Sequence, residues 1–391
     1  MCALVAVTNR YAGPPRPDAI PGDAWAYFQL AEAAPGLPAE PLFHHHVQRL
    51  ALPYVLGLLH DASGIPLHAL FLAAVLVTAL TLLLVLASTL RRLQVDDRQA
   101  VLVLAIVALN PWTVRLHLTF PEMIPDLGFA LGTALLLRGL VTDSSGAVLA
   151  GQAIASLSRQ TGLALVPVVL VWIWRDRPRW NAFARIGLGA GTAAIAVGLY
   201  AGTALLAARV STENTTLQHV TGLFTWARTQ FDGPTLVAFT VRGFLPTLAA
   251  LACLLALART RRHTGLASDV VPLFVLAAVC IGAQPVLGGP ELTAGNGPRL
   301  LVLGLPALAL ALGIVLRDAG TFSGAAGWTR LRYVILLLVV GSLHHWYVLA
   351  AEPGLGHKVF FGAAYASAAA GCYFLLARER QRDAPRSIAV P

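Results

Sequence analysis

The chain has 391 residues, 57% hydrophobic and only 12% charged, with a mean hydropathy of +0.70. That leaves too little polar surface to cover a soluble globule and defines a polytopic membrane protein. The formal charge of +9 comes from arginines scattered over short loops, with Lys358 the sole lysine, so it reports topology and excludes the basic stripe of a nucleic-acid binder.

Met1 to Thr8 is apolar, but it is too short for the core of a signal peptide and has no basic flank. It is read as the tail of a first transmembrane helix that begins upstream of Met1. Residues 9–42, rich in Pro, Ala and Gly, predict a loop with one helical turn around Ala24 to Ala33, and Gln48 to His60 predicts a short interfacial helix. The first full span is expected over residues 67–90, ending at Arg91-Arg92. A second covers 99–112 and stops at Asn110-Pro111, where proline breaks a helix, and a third covers 127–141. Two half-length pieces follow, 147–157 and 161–174, each too short to span alone, so they predict a broken pair with Arg159 near its tip.

Further spans are expected at 186–208, 235–258, 269–287, 299–316, 332–350 and 359–377. Arginine clusters at Arg175 to Arg179, Arg259 to Arg262, Arg317 to Arg332 and Arg378 to Arg382 fall at alternate connections. This makes an all-α helical bundle of about eleven apolar segments, divided into an outer-face region 1–65 with its interfacial helix, a transmembrane domain 66–377 and a disordered cytoplasmic tail 378–391. The chain is expected in the bacterial cytoplasmic membrane, C-terminus inside. Cys2, Cys253, Cys280 and Cys372 show no metal spacing and are expected as free thiols.

Polar chemistry is concentrated between Pro21 and Pro53. Gly22-Asp23 is followed by Tyr27 one turn on, and Phe43-His44-His45-His46-Val47-Gln48-Arg49 leads into Leu52-Pro53. Later come a proline-bracketed acidic loop with Glu122 and Asp126, the turn Leu157-Ser158-Arg159-Gln160-Thr161 before a helix containing Pro167, and Asn296-Gly297-Pro298-Arg299 opening a Leu-rich helix with Pro306. In this order these features resemble the GT-C class of integral membrane glycosyltransferases, which use a polyprenyl-phosphate-linked sugar as donor. The resemblance covers most of the chain, and it departs at the start, where that class has a full first helix.

The resemblance implies sugar transfer, with inversion, to an envelope glycan, lipid or protein acceptor on the outer face, with membrane lipid around the donor's tail. Asp23 would be the base for the acceptor hydroxyl, a task suited to a carboxylate in a partly dry pocket. The plainer reading is a solvated turn aspartate after Pro-Gly. Asp126 or Glu122 would be the supporting carboxylate, although Asp126 also fits a helix first-turn residue. Arg159 and Arg299 would hold the leaving phosphate, with Tyr27, His46 and Arg49 also at the substrate; the alternative for the arginines is snorkelling to outer headgroups or a local ion pair. Neighbouring histidines on a helix point about 100° apart, so His44-His45-His46 is not expected as a metal site, and no more than one should meet Asp23. A divalent cation, Mg²⁺ or Mn²⁺, stays open as a cofactor.

No G-x-S-x-G, H-E-x-x-H, P-loop or dinucleotide fingerprint occurs, which removes intramembrane proteolysis and nucleotide-driven pumping. The rivals are a transporter or lipid flippase, which needs ionisable groups along a central path, and a non-catalytic scaffold subunit. Convergence of Asp23, Asp126 and Arg159 on one place distinguishes an enzyme from both.

Overall fold

The computed structural model describes residues 2–9, 13–15, 22–176, 180–211, 216–240, 270–293, 297–318 and 320, with isolated positions between 327 and 342. Its elements, in order, are α1 (Cys2–Val7), α2 (Gly22–Glu32), α3 (His44–Val47), α4 (Ala51–Ser63), α5 (Leu67–Arg92) and α6 (Asp97–Leu109). A π-helical turn (Pro111–Arg115) runs into α7 (Leu116–Thr119), and a 3₁₀ turn (Pro121–Met123) into α8 (Ile124–Thr142) and α9 (Ser145–Ser158). A second 3₁₀ turn (Gln160–Leu165) precedes α10 (Val166–Asp176), α11 (Ala182–Val210), α12 (Thr216–Thr229) and α13 (Gly233–Phe239). After these come α14 (Val271–Thr293), α15 (Gly297–Val302) and α16 (Leu305–Asp318). No strand occurs among the described residues.

Among the described residues, five stretches are long and apolar enough to cross a bilayer: Leu67–Arg92, Asp97–Thr119, Pro121–Thr142, Ala182–Val210 and Val271–Pro290. On α5 and α11 large apolar side chains such as Val77, Leu84, Ile186 and Leu205 face outward, as a lipid-facing surface requires. In contrast, α8 is buried nearly all round and forms the centre of the bundle, against α5, α9 and α16. Its crossing with α9 depends on two glycines. A Cβ on Gly132 would stand 2.4 Å from the backbone nitrogen of Ala155, and one on Gly151 would stand 2.4 Å from that of Leu136, so the two backbones pack directly together.

Several local expectations are corrected. Instead of one turn, α2 is an 11-residue helix, since Ala, Leu, Gln and Glu at its positions are good helix formers and tertiary packing buries Tyr27 and Leu30. The interfacial helix begins at Ala51 and ends at Ser63, where Gly64 takes the left-handed conformation (φ 69°) that closes it. Asn110-Pro111 does stop α6, but the helix restarts immediately. The Asn110 side chain accepts from the Trp112 backbone N–H at 2.9 Å and the proline occupies the first turn, where it needs no donor, so 111–119 is helical and not a connecting loop. The 299–316 span is two helices, α15 and α16.

The break at Arg159 falls as expected: α9 ends at Ser158 and Arg159 is extended (φ −154°, ψ 147°) before the 3₁₀ turn. Within the π turn, Arg115 is buried and donates to the Thr8 carbonyl at 2.9 Å, the Thr8 hydroxyl at 3.1 Å and the Ser342 hydroxyl at 3.1 Å, tying the residue after α1 and Ser342 to the bundle. Residues 241–258, Arg242, His344 to Tyr347, the 359–377 span, the tail and two of the four cysteines, Cys253 and Cys372, lie outside the described residues.

Candidate active site

Asp23 sits in the first turn of α2, where the helix dipole favours a carboxylate. Its oxygens are engaged elsewhere: Oδ1 accepts from His46 Nε2 at 2.9 Å, and Oδ2 accepts from an Arg299 guanidinium N–H at 2.6 Å. Asp126, in the first turn of α8, makes no capping bond to the helix backbone. It accepts from Arg299 Nε at 2.5 Å through Oδ2, and from Arg159 through Oδ1. Arg299 therefore bridges the two aspartates, and Arg159 closes the row from the break between α9 and the 3₁₀ turn.

A second tier holds the 43–49 segment against this row. Tyr27, one turn after Asp23 on the same face of α2, is fully buried, and its hydroxyl accepts from Arg49 at 2.9 Å. Gln160 accepts from Arg49 Nε at 3.1 Å while its amide donates to the His45 carbonyl at 3.1 Å and the Gln48 side chain at 2.6 Å. The residue after Arg159 thus anchors the segment that carries His46 and Arg49. Next in the same 3₁₀ turn, Thr161 donates to the Gln284 side chain of α14.

Burial alone would raise the Asp23 carboxyl, but the Arg299 charge, the hydrogen bond and charge of His46, and Arg49 together hold it well below the usual carboxylate range, so it is ionised. Burial pushes the Tyr27 phenol up, with the Asp23 and Asp126 charges adding to that and Arg49 opposing it. Three guanidiniums face two carboxylates here, leaving one positive charge over. Arg159 Nε and one terminal nitrogen of Arg299 are buried donors with no hydrogen-bond partner. A site with surplus positive charge and unused guanidinium donors is built for an anion such as a phosphate.

Glu122 is brought elsewhere. It is buried and accepts from His68 Nδ1 at 2.8 Å, on the far side of the 3₁₀ turn from Asp126. His117, a lone histidine in an apolar run and hence nearly silent in the sequence, is buried beside the row. Its Nδ1 donates to the Thr113 carbonyl, its Nε2 has no partner, and it interacts electrostatically with Asp126, Arg299 and Arg159.

Of the three histidines, His46 is the one that hydrogen-bonds to Asp23, as expected, but His45 also stands close to it. One ligand atom each from Asp23, His45 and His46 lie within 4.8 Å of one another. The 100° rule assumes a long regular helix, whereas α3 is a four-residue turn and the two rings lean together, centroids 4.0 Å apart. This donor set does not suit Mg²⁺, which demands an octahedron of oxygen atoms.

No protein-family model matches the chain, and no curated protein matches it. Among solved structures, the fold is similar to that of ArnT from Cupriavidus metallidurans bound to undecaprenyl phosphate, with a TM-score of 0.51 at 16% identity over 95% of this chain and 73% of the other. The apo-state structure of the same protein matches with a TM-score of 0.49 at 15% identity over the same shares. The described residues form an all-α polytopic membrane fold similar to that of this neighbour.

Proposed function

We propose that this protein is a membrane glycosyltransferase that moves a sugar from a polyprenyl-phosphate donor to an acceptor hydroxyl on the outer face of the cytoplasmic membrane. The observation that carries the reading is the buried row in which Arg299 bridges Asp23 and Asp126 and Arg159 caps Asp126. Undecaprenyl phosphate, bound by the structural neighbour, is a lipid of the donor's class and supports the same direction.

In this reading Asp23 removes the acceptor proton and the freed oxygen forms a bond to the anomeric carbon with inversion. The bond from that carbon to the phosphate oxygen breaks, and the polyprenyl phosphate leaves with the electron pair. Arg159 and Arg299 receive the negative charge through their unused N–H groups in a site of low dielectric. Asp126 keeps both guanidiniums oriented without itself touching substrate. Arg299 also sets timing: while it is held by Asp23 the carboxylate is a weak base, and a donor phosphate that draws the guanidinium away restores its basicity. Tyr27, His46 and Arg49 stand beside the row on the substrate side, and Glu122, paired with His68, takes no part in the transfer. Membrane lipid surrounds the polyprenyl tail.

The test is transfer of radiolabelled sugar from a panel of polyprenyl-phosphate donors by membranes containing the wild type, Asp23→Asn and Arg159→Ala, with protein levels matched. Transfer by the wild type that both variants lose while still folded supports the assignment. No transfer from any donor, or full activity in Asp23→Asn, rejects it and moves the search to transport.

A further inference from the structure

We propose that Asp23, His45 and His46 form a zinc site whose occupation switches the candidate active site off. The binding half stands on geometry alone, and the inhibitory half rests on the function proposed above. Two imidazoles and one carboxylate supply borderline nitrogen donors together with one anionic oxygen, the ligand types of a three-residue zinc centre completed by water.

All three donor atoms lie within 4.8 Å of one another, and two of them already stand close to the spacing that an ion requires. Zinc bonds of about 2.0–2.2 Å at a tetrahedral angle put neighbouring ligand atoms about 3.4 Å apart. Asp23 Oδ1 and His46 Nε2 stand 2.9 Å apart. They need separate by only about half an ångström to admit the ion at those bond lengths. The imidazoles are supported from behind, since Phe43 stacks on His45 with centroids 5.9 Å apart and meets His46 edge-on at 5.8 Å. His46 is buried, whereas Asp23 and His45 are partly open, which gives the ion an approach and the fourth ligand a place.

Charge decides which oxygen the ion takes. Arg299 occupies Oδ2, so zinc takes Oδ1 and replaces the proton now shared with His46, which passes to Nδ1 of the same ring. The neighbouring guanidinium repels the dication and keeps the affinity modest. With zinc on one oxygen and Arg299 on the other, the Asp23 carboxylate is too weak a base to take the proton of an acceptor hydroxyl. His45 is the discriminating residue, because it belongs to the zinc site and has no part in the transfer proposed above.

The experiment uses the full-length protein in lipid nanodiscs, stripped by a chelator and then given Zn²⁺ at micromolar concentration. Elemental mass spectrometry counts the bound metal, and sugar transfer is measured in parallel. The wild type is expected to retain a single equivalent of zinc and to slow about tenfold. His45→Ala is expected to keep the basal rate, retain no zinc and resist inhibition, with His45→Gln as a second, more conservative variant. Absence of retained zinc in the wild type, or equal retention by both variants, overturns the site. Zinc bound without loss of rate overturns the switch. If no donor supports transfer at all, the function proposed above and the switch fall together, while the zinc count in wild type and variants still decides the site.

Discussion

Arg299 donates to the carboxylate of Asp23 across 2.6 Å although 276 positions separate them in sequence. The base proposed for transfer and the group proposed for the leaving phosphate are therefore in direct contact. Asp23→Asn keeps the shape of the side chain and one oxygen for Arg299 but cannot take a proton. Transfer should fall about 10²- to 10⁴-fold, while melting of the purified protein in detergent moves little. Rates and melting curves measured on the same preparation check both halves.

Asp126 should behave differently. It is the buried counter-ion of two buried guanidiniums, and its removal leaves Arg159 without a carboxylate and Arg299 with Asp23 alone. Asp126→Ala is expected to cost about 3–5 kcal/mol, the usual penalty for breaking a buried ion pair from one side, and to lower both yield and melting temperature. Combining it with Arg159→Met should recover part of the stability and none of the activity, a pattern that a purely catalytic aspartate would not give.

The α8–α9 crossing fixes where Arg159 stands relative to Asp126. Gly132→Val would drive a side chain into the backbone of Ala155, so it should destabilise by about 1–3 kcal/mol or more and reduce transfer with it. Gly146→Ala, on the same α9 helix but with nothing within 4 Å of the added carbon, is the control and should be neutral or slightly stabilising. Thermal melting of the two variants side by side decides.

Tyr27 and Gln160 hold the same guanidinium, that of Arg49. Tyr27→Phe should cost about 1 kcal/mol and raise the KM for donor more than it lowers kcat, and Gln160→Ala should act in the same direction. Because both act through Arg49, the double variant should be less impaired than the product of the singles, which a double-mutant cycle measures.

Much of the membrane architecture was legible because apolar run length is a strong signal, and the break at Arg159 showed as two runs each too short to span. Asp23, Tyr27, Asp126, Arg159 and Arg299 stood out because ionisable and aromatic groups are scarce here and they interrupt apolar or proline-rich stretches. The pairings among them could not be read. Which aspartate takes which arginine depends on contacts between elements far apart in the chain. The length of α2 was hidden because Pro, Ala and Gly around it suggest a loop, and the packing of Tyr27 and Leu30 overrides that composition. Glu122 looked equivalent to Asp126, yet it lies within the 3₁₀ turn and Asp126 in the first turn of α8, and the two carboxylates go to different partners. His117 carries no pattern, since its significance comes from the buried groups around it.

A chain made from its N-terminus completes Asp126 and Arg159 long before Arg299 exists. The α8–α9 hairpin can thus enter the bilayer with its one buried acid and one buried base already neutralising each other, and Asp23 waits without its guanidinium. Arg299 is the last of these groups to leave the ribosome. On the proposed function, the nascent protein is therefore inactive until late in its own synthesis, and a truncated product ending before α15 is expected to insert without acquiring the proposed activity.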